Sequence, residues 1–143
     1  MNIQEPIASR SGSNTADLLK NAGLRPTRQR LALAKLLFAG HDRHVTAETL
    51  HAEVLGAKIR VSLATVYNAL HQFTQVGLLR EVVVEAGRAY FDTNTSVHYH
   101  FFDEETCELS DIPSGSISMS DLPEAPAGKV LSGIEVVFKL RSE

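Results

Sequence analysis

Apolar side chains along this chain change their period once, near residue 77. Before that point they recur every three or four positions, as on helices with one buried stripe; after it they fall into short β-rich runs. The clearest helical pattern is VSLATVYNALHQF at 61–73, where Leu63, Val66, Leu70 and Phe73 form a single stripe. Ser62 stands where a helix N-cap belongs, with Thr65 three residues further on. The opposite face carries Ser62, Thr65, Tyr67, Asn68, His71 and Gln72, and no acid. Such a face suits a DNA groove, because a carboxylate there would repel phosphates. An ordinary solvated helix would show the same pattern, so the neighbouring segments decide.

Those segments have an order. The spacing predicts a short helix over 15–22, closed by Gly23, and a second helix capped by Thr27 and running to Ala39. Leu31, Leu33, Ala34, Leu37 and Phe38 supply the apolar side of the second. A turn at Gly40–His44 precedes a third helix capped by Thr46, with Ala47, Leu50, Val54 and Leu55 facing inward. After Gly77, Leu78–Val84 and Arg88–Thr93 read as a hairpin turning at Glu85-Ala86-Gly87. Helices followed by a two-stranded hairpin make a winged helix-turn-helix over 15–93. Residues 1–14 are polar and aperiodic and read as a mobile tail; 94–97 read as a hinge.

The remainder, 98–143, reads as a smaller domain. Tyr99–Phe102 and Cys107–Ile112 are predicted to pair around the acidic turn Asp103-Glu104-Glu105-Thr106. A helical turn is expected near Ser118 or Ser120, and GIEVVFKLR at 133–141 reads as a mostly buried strand. Three strands leave open sheet edges, which a second copy of the chain would cover, so a homodimer is expected. The fold class is α+β: a winged helix-turn-helix domain, then a small α/β dimerisation domain.

Charge sharpens this division. The net charge of −3 would argue against a nucleic-acid partner if it were spread evenly. It is not: 15–96 carry ten Lys and Arg against seven Asp and Glu, whereas 97–143 carry three against nine. Arg25, Arg28 and Arg30 crowd the start of the second helix, where the helix dipole disfavours cations, so phosphate or minor-groove contact accounts for them better than helix stability does. The single cysteine, Cys107, excludes an intramolecular disulfide. No apolar run reaches membrane-spanning length and the N-terminus lacks a signal-peptide core, so a cytoplasmic protein with no membrane partner is expected.

Of six histidines, His98 and His100 bracket one residue in an expected strand. Period two puts both imidazoles on one face about 7 Å apart, close enough to reach one metal ion. By itself the pair could equally face solvent.

The motifs LRPTRQR at 24–30, HVTAETLHAEV at 44–54, SLATVYNALHQFTQVGLLREV at 62–82 and HYHFF at 98–102 together resemble the ferric uptake regulator family. YNALHQFTQVGLLRE and HYHFFDEET are most similar to its iron response regulators. The resemblance implies regulatory metal ligands at His44, Asp92, His98, His100 and Asp111, a set suited to Fe(II) or Mn(II), and also to Zn(II). Aspartates at 92 and 111, where many iron-uptake members have glutamate, are closer to the peroxide-sensing branch. The family's structural zinc needs CxxC after the HxH pair. Asp103 and Thr106 occupy those places and Cys107 falls one residue off, so no CxxC zinc is expected. A second family metal site would need ligands where Val97 and Tyr99 stand.

The iron response likeness also implies haem, through His98 and His100, since residues 1–40 lack the Cys-Pro motif of some relatives; it leaves room for a haem-supplying partner. The resemblance further implies double-stranded DNA as partner, with Tyr67 meeting a thymine methyl. At position 68, Asn68 replaces a common arginine and favours adenine. Ser62 and Thr65 would contact phosphates and Arg25 would reach the minor groove, with Arg28 a further DNA-binding candidate. The expected function is a non-enzymatic, dimeric repressor of iron homeostasis genes on an A/T-rich inverted repeat. The alternatives are a peroxide sensor using iron or manganese, or a metal- or haem-buffering protein without DNA activity.

Overall fold

A computed structural model describes residues 15–85 and 87–143 of the chain. The expected tail at 1–14 and Ala86 of the hairpin turn lie outside the described residues. The chain divides into two compact units, meeting in sequence between Ser96 and Val97.

The first unit contains helices α1 (Thr15–Asn21), α2 (Arg28–Phe38), α3 (Ala47–Gly56) and α4 (Leu63–Gln75). Hydroxyls start the last three: Thr27, Thr46 and Ser62 accept the backbone N–H of Arg30, Thr49 and Thr65. Each bond satisfies one of the donors that a helix start leaves open. On α4, Val66, Ala69, Leu70 and Phe73 are buried, the three-four rhythm of one stripe. They meet Leu33, Ala34, Leu37 and Phe38 of α2 and Leu50 and Val54 of α3 in a single core. Leu55, expected inward, is 48% exposed, because the α3 stripe runs through Ala47, Leu50 and Val54 and turns the next residue outward. At the end of α4, Gly77 adopts a left-handed φ of 81°, and Leu78 N–H returns to Phe73 O at 2.9 Å.

Strands β1 (His44–Val45), β2 (Arg80–Glu85) and β3 (Arg88–Asp92) form an antiparallel sheet in the order β1-β3-β2. The hairpin β2–β3 is the wing. The stretch expected as a turn up to His44 therefore ends in a strand, which pairs His44 with Asp92 and Val45 with Phe91. Two residues are too few to show a period, so only the partner strand reveals them.

In the second unit, β4 (His100–Asp103), β5 (Leu109–Asp111) and β6 (Val137–Leu140) form a sheet in the order β5-β4-β6. β4 and β5 are antiparallel; β4 and β6 are parallel. Phe102, Leu109 and Ile112 are its buried apolar residues. The strand expected over 133–141 is shorter and is not buried: Phe138 is 47% and Leu140 41% exposed. Phe138 meets Phe101 of β4 at a ring-centroid distance of 6.2 Å, yet much of the apolar surface of β6 stays open. No helix forms near Ser118 or Ser120; that segment lacks any apolar stripe to hold one against the sheet. No helix among the described residues is long and apolar enough to cross a membrane.

Candidate metal centre and nucleic-acid face

In the first unit, the β1–β3 register brings His44 Nε2 to 3.0 Å from Asp92 Oδ2. Asp92 is 1% exposed, and its other carboxylate oxygen accepts the Asn94 backbone N–H at 2.8 Å. A carboxylate so buried is tolerated only with such partners. Next to this pair, Thr93 N–H donates to Arg43 O at 3.0 Å and Arg43 N–H to Thr93 Oγ1 at 2.8 Å, which pins both strand ends.

In the second unit, the β4–β5 register sets His100 opposite Asp111. One oxygen, Asp111 Oδ1, lies 3.2 Å from His98 Nε2 and 3.4 Å from His100 Nε2. The ligand atoms of these three side chains lie within 4.8 Å of one another, and the two imidazole centroids are 4.5 Å apart. Strand alternation does not account for that closeness, because β4 begins at His100 and His98 lies before it. The shared carboxylate gathers the rings instead. Sequence reasoning missed Glu135, whose Oε1 lies 3.7 Å from His100 Nδ1. The one acid inside the apolar run 134–138 was the available signal. Imidazole and carboxylate together, with Asp92 and His100 buried and Asp111 open to solvent, make a donor set fit for a borderline-to-hard divalent cation in each unit.

Where the zinc-binding CxxC would stand, Asp103 closes the turn by hydrogen bonding. Its Oδ1 accepts the backbone N–H of Glu105 at 2.9 Å and of Thr106 at 3.1 Å, and its carbonyl accepts Cys107 N–H at 2.8 Å. The Thr106 and Glu105 amides hold the Asp103 carboxyl below its ordinary value.

On the candidate DNA face, Ser62 Oγ and Thr65 Oγ1 lie 2.9 Å apart, both engaged in the α4 cap. Asn68, Arg25 and Arg28 are exposed. Arg30, grouped with the last two in sequence, does something else: it donates to Gln72 Oε1 through Nε at 3.2 Å and Nη2 at 2.9 Å, tying α2 to α4. His71 meets Phe91 of the wing edge-on, at a centroid distance of 5.7 Å. Nor is the face free of acid. Glu48 reaches it from α3 and accepts the Tyr67 hydroxyl at 2.7 Å. A helix read alone could not show what its neighbour contributes.

Three capped helices, a wing and clusters of metal-type donors define a winged-helix DNA-binding regulator with metal chemistry attached. The chain belongs to the Ferric uptake regulator family, whose model matches residues 21–125. Members of that family are metal-responsive transcription regulators and not enzymes. The chain is 38% identical over 81 residues to the Ferric uptake regulation protein of Cupriavidus metallidurans, a match covering 57% of each protein. It is 33% identical over 109 residues to the Peroxide-responsive repressor PerR of Staphylococcus aureus, covering 76% of this chain and 67% of that one. Among solved structures, the ferric uptake regulator of Vibrio cholerae superposes with a TM-score of 0.70 at 21% identity, covering 89% of this chain and 98% of the other. The ferric uptake regulator of Pseudomonas aeruginosa with manganese gives 0.67 at 24% identity, covering 92% and 99%. At these identities the superpositions establish the fold.

Proposed function

We propose that this chain is a dimeric, metal-responsive repressor that reads an A/T-rich inverted repeat with α4 and controls genes of iron homeostasis. The donor geometry carries the reading: strand register sets His44 against Asp92 in one unit and His100 against Asp111 in the other, where His98 shares the same Asp111 oxygen. In this reading the five side chains take one divalent cation between them. A cation there would supply a fixed positive charge joining donors of both units. The chain's own groups do the rest. Asp92 and Asp111 orient the imidazoles. Tyr67 and Asn68 read bases, Ser62 and Thr65 meet phosphates at the helix start, and Arg25 and Arg28 neutralise the backbone. The exposed Phe138 and Leu140 of β6 form the dimer face. Domains follow as 15–93 for DNA, 94–97 as hinge and 98–143 for dimerisation and sensing.

Fluorescence anisotropy on an A/T-rich duplex, with Mn(II) and with chelator, tests this. Binding should tighten with the metal; equal binding under both conditions would sink the metal response.

Peroxide sensing is the second reading, favoured by the two aspartates and by the similarity to the peroxide-responsive repressor of Staphylococcus aureus. Fe(II) with peroxide should then add 16 Da, one oxygen atom, to His44 or His98, read by mass spectrometry. Haem ligation has less support, because His100 is 0% exposed and a porphyrin could reach it only after the chain around it opened. A Soret band shift lost in H98A and H100A would favour it nonetheless.

A further inference from the structure

The phenol of Tyr67 has one proton to give, and its bond to Glu48 uses it. The pairing holds the Glu48 carboxyl below its ordinary value and the Tyr67 hydroxyl above its own, so the carboxylate form and the protonated phenol persist together. Both residues line a cleft of about 440 Å³ with His71 of α4 and with Val83, Arg88 and Tyr90 of the wing. A duplex strand passing between recognition helix and wing would run over this pair.

A tyrosine free to donate would be satisfied by any phosphate oxygen, and such a contact carries no sequence information. A tyrosine whose proton is already committed, and whose far end is tethered, offers mainly its ring. Tethering also removes rotamer freedom before binding rather than during it. Once a duplex excludes water, the charge-assisted bond strengthens, and the hydroxyl offsets part of the cost of a carboxylate near phosphates.

We infer that Glu48 is a positioning residue for DNA reading: it holds the Tyr67 ring and occupies its hydroxyl proton, so that Tyr67 selects a thymine methyl by ring contact. This rests on the reading of α4 as the base-contacting helix.

The test uses the full-length, Mn(II)-loaded protein and duplexes selected by it from random sequence. Thymine is replaced by uracil position by position, and affinities are compared for wild type, E48Q, E48A, Y67F and Y67A. Wild type should favour thymine about tenfold at one position per half-site, the low end of what one methyl group is worth. E48Q, which keeps an acceptor oxygen, should retain most of that preference. E48A and Y67F should reduce it to about threefold or less on the same scale. In E48A the Tyr67 titration, followed by ¹³Cζ-tyrosine NMR, should move down toward the ordinary phenol value. Should E48A fail to fold, Y67F breaks the same bond without touching α3 and decides alone. Loss of preference in Y67A with none in E48A and Y67F would overturn the inference and leave the helix reading intact. Full preference in Y67A would overturn both. A change in E48Q confined to a cytosine position would make Glu48 a base contact instead and overturn the positioning role.

Discussion

The two units of this chain are stabilised by different means. The first closes a core of its own: four helices and the wing surround Phe73, Leu70, Leu33 and Leu37, all shielded from water. The second buries Phe102, Leu109 and Ile112 beneath a three-stranded sheet, and leaves Phe138 and Leu140 of β6 exposed. Its largest fully buried side chains include a histidine, His100, beside an aspartate and near a glutamate. One unit is complete as a folding problem. The other buries a histidine beside carboxylates and keeps apolar side chains of β6 at its surface; under the proposed function these would take an ion and a second subunit, the means by which a regulator can be switched.

The comparison can be broken most severely in the core. Phe73→Ala should cost about 3–5 kcal/mol, as large-to-small changes at fully buried aromatics do, and should abolish DNA binding. Urea denaturation followed by circular dichroism would show a lowered midpoint; an unchanged midpoint would mean that the core is not where the helices meet. Phe138→Ser should act oppositely, shifting dimer to monomer in sedimentation while changing stability by only about 0.5 kcal/mol when both proteins are compared at dilutions where they are monomeric. A Phe138→Ser dimer as tight as wild type would remove β6 from the interface. The smallest effect belongs to the Asp103 turn. Its carboxyl sits below the ordinary 3.8 in the folded chain, so its contribution is complete above that value and is lost as pH falls through the lower folded value. Asp103→Ala should therefore reduce stability slightly at neutral pH and flatten the acid limb of the melting curve, leaving the two proteins alike at low pH. A difference that persists in acid would mean that the turn is held by something else.

The same contrast explains what the sequence made legible. In the first unit Thr27, Thr46 and Ser62 mark helix starts, Gly77 marks an end, and the stripe of α4 can be counted, because helices are written in local spacing. Leu55 was misassigned where the α3 stripe ended, and β1 was missed because its only signal is the opposing strand. In the second unit the pattern of 133–141 was apolar enough to suggest burial. The strand is half exposed instead; under the proposed function that face takes a partner, and an apolar run reads the same in either case. The donors were legible by type, through the resemblance. Their arrangement was not: His100 meets Asp111 through the β4–β5 register, whereas His98 and Glu135 reach the site from the residues just before β4 and β6, where no period marks them. Glu48 escaped notice for the same reason, since it acts on α4 from another helix.

Mn(II) titration by isothermal calorimetry, on wild type, H44A and H98A, bears most directly on the proposal that one cation joins the two units. Wild type should bind one ion per chain at this centre, and each variant should weaken it by about tenfold or more, even though the two histidines belong to different units. If H44A binds Mn(II) as wild type does while H98A loses it, the centre belongs to the second unit alone, and the coupling of metal to the DNA reader must be given up.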